Sequence, residues 1–101
     1  MRMIMHVSIP TDVFNAAVKD GSAGAKMQRI LAQAKPEAVY FSEFDGVRTA
    51  IVVVDLAEAS QIPAFAEPWF LTFNAAVELH PVMTPQDLGA SGIEALGKKW
   101  G

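Results

Sequence analysis

Residues 36–56 read PEAVYFSEFDGVRTAIVVVDL. At the centre stands Asp45-Gly46, flanked on both sides by β-branched and aromatic residues. A two-residue type I′ turn needs positive φ at both central positions, and Asp-Gly is among the pairs that supply it most easily. The stretch therefore predicts a hairpin, with Ala38–Phe44 leading in and Val47–Leu56 returning. A two-residue turn also sets the register. Phe44 opposes Val47, Glu43 opposes Arg48, Ser42 opposes Thr49 and Tyr40 opposes Ile51. Glu43 and Arg48 are then expected to form a cross-strand ion pair, worth about 0.2–1 kcal/mol.

Working outward, Arg2–Ile9 is a short apolar run closed by Pro10, which suits a buried strand. Thr11 offers a helix cap with Asp12 in the first turn. Val13, Phe14, Ala17 and Val18 form one helical face. The run DGSAG, Asp20–Gly24, is expected to break this helix, since each interior glycine costs about 1 kcal/mol. The helix resumes through Met27, Ile30, Leu31 and Ala34 and stops at Pro36. Beyond the hairpin, 57 to about 71 reads as a second helix. Ser60 is its candidate cap, and Pro68 is expected to kink or end it. Residues 73–82 read as a fourth strand. Thr84-Pro85-Gln86-Asp87 is a helix start with Thr as cap and Pro at the first helical position. A last helix follows through Leu88, Ile93 and Leu96.

The order is β-α-β-β-α-β with a tail helix, the split βαβ or ferredoxin-like pattern. At 101 residues the chain is read as one domain, 1–101. In such a sandwich two helices cover one sheet face and leave the other open. The composition is 51% apolar and only 19% charged, so burial between subunits is expected. A net charge of −3 with scattered Lys and Arg argues against nucleic acid as a partner. The chain has no cysteine, so no disulfide framework or thiolate metal site can form, which fits a reducing cytoplasm. The first ten residues are too short for a membrane span and lack a signal-peptide pattern.

With the elements in place, the segments PEAVYF, DGVRTAIVVVDL, EPWF and ELHPVM carry a resemblance. The chain resembles the dimeric α/β-barrel superfamily of ferredoxin-like proteins. Within it, the chain is similar to small uncharacterised bacterial domains of the DUF3303 type, where a Trp near the end of the second helix precedes a strand ending in Pro. The resemblance implies a homodimer whose two sheets pack face to face. The superfamily includes cofactor-free monooxygenases, lactone isomerases, haem enzymes and proteins without known activity. None of their catalytic motifs maps residue by residue onto this chain, and fold analogy alone assigns no reaction.

Strand alternation then nominates residues. Val39, Phe41, Ala50, Val52 and Val54 make one apolar face, suited to the helices. Tyr40, Ser42, Thr49, Ile51, Val53 and Asp55 make a mixed face. The first strand divides into Met3, Met5 and Val7 against Ile4, His6 and Ser8. The fourth divides into Val77 and Leu79 against Ala76, Glu78 and His80. If the first and fourth strands are neighbours, His6, Glu78 and His80 gather on the mixed face. A carboxylate beside an imidazole fixes its tautomer and raises its basicity, as a general base requires. These three are the candidate catalytic residues, with either His as base and Glu78 as orienter. A satisfied interfacial histidine is the competing reading. Two His and one Glu are a poor metal set without a third His, so no metal and no cofactor is expected. Tyr40, Ser42, Thr49, Glu67 and Trp69 are the candidate ligand contacts, although the default role of Trp69 is core. Two functions stay open. One is a homodimeric domain binding a small organic molecule in a cleft between sheet and helices, with or without cofactor-free catalysis. The other is an assembly domain whose mixed face is only a dimer interface.

Overall fold

The Asp45-Gly46 turn forms as its chemistry dictates, with φ of 54° and 74°. The structure of the protein, a computed structural model, describes residues 1–101. The hairpin joins β2 (Ala38–Phe44) to β3 (Val47–Asp55), and every pair from Ala38↔Val53 to Phe44↔Val47 follows from the turn. β1 (Arg2–Ser8) lies antiparallel to β3 on one side and to β4 (Ala76–Pro81) on the other. The sheet order is β2-β3-β1-β4. The result is an α+β fold with a four-stranded antiparallel sheet, in an order compatible with a ferredoxin-like fold.

Helices α1 (Thr11–Asp20), α2 (Ala23–Ala34) and α3 (Ile62–Phe73) cover one face. Of the strand residues with helix-facing parity, Met3, Met5, Val7, Ala50, Val52 and Val54 are buried, Val39, Val77 and Leu79 are half-buried, and Phe41 is exposed. Trp69 and Phe73 complete this core from α3, and Phe14 meets Phe73 with ring centroids 5.5 Å apart. The α1–α2 break falls in the glycine-rich run. Gly21 adopts the left-handed conformation at φ 83°, where a Cβ would be strained. Gly24, however, lies inside α2.

Several local expectations are corrected. Pro68 does not end α3, which runs on to Phe73. Burial of Ala66, Trp69 and Phe73 along one helical face outweighs the roughly 3 kcal/mol that an interior proline costs. Phe73 is consequently a helix residue. Asn74, left-handed at φ 52°, closes the helix, and the strand begins at Ala76. Thr11 makes no side-chain cap, and Pro10 occupies that position. The second helical segment starts in a short 3-10 turn at Ala59–Gln61, capped reciprocally by Glu58 and Gln61 rather than by Ser60. At the C-terminus Thr84 is the cap as expected, and Asp87 answers it reciprocally in a capping box. Gly92, left-handed at φ 76°, then divides the tail into α4 (Pro85–Gly89) and α5 (Ile93–Trp100).

That tail stands clear of the body. Every residue from 85 to 101 is exposed. The radius of gyration is 16.9 Å, against about 13 Å for a compact chain of 100 residues. No helix is long and apolar enough to cross a membrane.

Trp69 is 1% exposed. Trp69→Ala is expected to destabilise the fold by about 3–5 kcal/mol, the usual consequence of emptying a buried aromatic site. Urea unfolding followed by circular dichroism measures this directly. A midpoint close to that of the parent would place the ring outside the core.

Candidate functional site

β1 and β4 are neighbours, so the condition that brings the imidazoles together is met. Glu78 pairs directly with His6, and His80 pairs with Ile4 one step along the same face. All three side chains therefore rise from the face that the helices leave open. His80 Nε2 lies 3.2 Å from Glu78 Oε1. Both side chains are more than half exposed, at 57% and 66%. Solvent screens such a pair, and it contributes little to stability. His6 takes a different partner. Its ring meets Phe44 edge-on with centroids 4.7 Å apart. Phe44 belongs to the far edge strand, so its ring reaches back across β3 toward β1. Thr49 lies on β3 between them and is only 2% exposed, although it sits on the open face. Its Oγ1 donates to the Val47 carbonyl at 3.0 Å, which satisfies the buried hydroxyl.

The cluster borders no cavity. Nor do three or more His, Asp or Glu side chains converge anywhere to hold a metal ion. Tyr40, opposite Ile51 on the same open face, is 63% exposed.

The cleft lies on the other side of the sheet. It is a half-open space of about 340 Å³ between the turn end of the β2–β3 hairpin and the α1–α2 pair. Phe14 from α1 and Met27 from α2 form one wall, and Ile9 lies at the base. Ala23 and Gly24 open the first turn of α2 onto it. From the sheet come Phe41 and Arg48, with Ser42 and Thr49 opposite each other in the register. By alternation the hydroxyls of Ser42 and Thr49 belong to the opposite face, so they give the cleft strand backbone. Phe41 explains itself here. It has the helix-facing parity, yet it is 58% exposed, because no helical side chain fills the gap above it.

Arg48 does not pair with Glu43. Its Nη1 donates to Asn15 Oδ1 at 2.8 Å, and its guanidinium carbon lies 4.9 Å from the centre of the Phe14 ring. α1 thus offers both an amide and an aromatic face to the cation. Glu43 turns to the hairpin and accepts the Gly46 N–H at 2.9 Å.

The remaining candidates separate. Trp69 is core. Glu67 is exposed in a shallow groove of about 500 Å³ between α2 and α3, near Arg29 and Gln33. Three carboxyls are held below their usual range, and each owes this to local hydrogen bonds. Asp20 is lowered by the Ser22 side chain and backbone, Asp55 by the chain's amino terminus, and Asp87 by the backbone and side chain of Thr84. None of them lines the cleft.

Sequence reasoning missed Phe14, Gly24, Met27 and Arg48 as cleft residues. Gly24, read from the sequence as part of the helix break, lies in the first turn of α2 beside the cleft. A Cβ built there would meet nothing within 4 Å, so neither crowding nor a positive φ requires glycine.

The His6–Phe44 contact ties β1 to the outer edge of the sheet. A double-mutant cycle of His6→Ala and Phe44→Ala is expected to give a coupling of about 0.5–1.5 kcal/mol, as for other edge-to-face ring pairs. Additive losses in denaturant unfolding would show the rings to be independent. No family model matches the chain, and no curated protein matches it in sequence.

Proposed function

We propose that the protein is a homodimeric domain that binds a small organic molecule in the cleft between its sheet and its first two helices. The observation that carries this reading is the cleft itself. Its volume, about 340 Å³, lies within the range of small-molecule sites, and its walls are apolar with few polar groups. Gly24 lines the cleft, and no atom lies within 4 Å of the place a Cβ would take there, so the space beside it is open.

The dimer is the second half of the proposal. Ile4, Ile51 and Val53 are half-buried on the open face, and Tyr40 and Phe44 stand exposed beside them. Two such faces packed together make a dimeric α/β barrel, as the resemblance to that superfamily implies. His6, Glu78 and His80 then lie between the sheets. Catalysis by them, with Tyr40 as hydrogen-bond donor, would take place at that junction and not in the cleft. The competing reading is an assembly domain with no ligand. It draws on the distance of the histidine cluster from any cavity in the single chain.

Two measurements separate these readings. Titration with phenol, indole and hexanol is expected to shift backbone amide resonances of Gly24, Met27 and Phe41, and Gly24→Leu should remove the shifts while leaving the melting temperature near that of the parent. Probes that leave these resonances in place would favour the assembly reading. Sedimentation equilibrium is expected to give a dimer at micromolar concentration, weakened by Tyr40→Glu. A monomer throughout that range would remove the barrel from the proposal.

A further inference from the structure

We propose that the cleft is selective for a small organic acid, with an apolar body against Phe14, Met27 and Phe41 and a single carboxylate on Arg48. This deepens the cleft reading above and rests on it.

Arg48 is the only charged residue lining the cleft. It takes part in none of the three ion pairs of the protein, which join Met1 to Asp55, Arg2 to Glu37 and Glu78 to His80. Its one hydrogen-bond partner, Asn15, is a neutral amide. The cation is exposed to solvent at the rim of the cleft and has no carboxylate partner, in a chain whose net charge is −3. Carboxylates are not scarce, and one is directly opposed in the register. Glu43 faces Arg48 across the hairpin but binds the Gly46 N–H instead.

Geometry adds to charge. A guanidinium has five N–H donors in a planar fork, and only one is used here. Asn15 and the Phe14 ring hold the group from one side. That arrangement orders the fork before a ligand arrives and leaves donors for a bidentate carboxylate. One guanidinium matches one negative charge. A dianion would leave a charge without a partner beside apolar walls, and an organic cation would be repelled. Ile9, Phe14, Met27 and Phe41 supply the surface for a ring or short chain. Gly24 leaves the space above it open.

The test compares acids with their neutral isosteres on the intact chain. 3-Phenylpropionate and octanoate are titrated against 3-phenylpropanamide and octanamide, with binding read from the amide resonances of Gly24, Met27 and Phe41. The acids are expected to bind at least tenfold more tightly than the amides and to weaken with added salt. Arg48→Gln should bring the acid-to-amide ratio close to one, and Arg48→Lys should recover part of the difference. The acid-to-amide ratio in the unmodified protein needs no variant, so the outcome does not depend on whether Arg48→Gln folds. Equal binding of acid and amide would overturn the proposal and leave the cleft reading standing. No shift with any of the four compounds would overturn both.

Discussion

The positive φ at Asp45 and Gly46 is the constraint on which the rest of this structure depends. A two-residue turn allows one register, and a slip of one residue would send every side chain of the hairpin to the wrong face. With the register set, Val52 and Val54 point to the helices beside Met3 and Met5, and Ile51 and Val53 point away. Glu43 secures the turn by accepting the Gly46 N–H. In this conformation the carboxylate opposite Arg48 in the register makes no ion pair with it.

The two sheet faces carry different chemistry as a result. The covered face holds a well-packed core under α3 but stays unfilled near the turn, where Phe41 lies bare beneath α1 and α2. The uncovered face holds the histidine–glutamate pair, Tyr40 and a row of half-buried aliphatics. Only 15 of 101 residues are buried in the single chain. Much apolar surface therefore remains, including Phe44, Leu71 and Trp100. The reading proposed here assigns the unfilled region of one face to a ligand and the other face to a second copy.

Much of the fold was legible in the residues. Asp-Gly between β-prone runs, alternation in four strands and the Thr-Pro-Gln-Asp start all express local preferences that the folded chain keeps. Pro68 was misleading because an isolated helix pays fully for an interior proline, whereas this helix is held by Trp69 and Phe73. Phe73 was misleading for the same reason. An aromatic residue suits either a strand or a buried helical face, and only the core around it distinguishes the two. Arg48 was assigned to the residue opposite it, since cross-strand neighbours are all that register reveals. Its actual partners, Phe14 and Asn15, lie more than thirty residues away along the chain.

By itself, then, the sequence determined the hairpin, its register, the parity of each strand and the co-facial placement of Glu78 and His80, because these follow from φ preferences and a period of two. The adjacency of β1 and β4 followed from the order of elements. Tertiary structure alone decided that the imidazole of His6 turns to Phe44 and that Glu67 and Trp69 lie apart from the cleft. It alone decided how far α1 and α2 fall short of covering β2, and so where a cavity opens. The physical reason is that a cavity is the difference between two packed surfaces. Each surface is encoded locally, but the distance between them is set by the whole core.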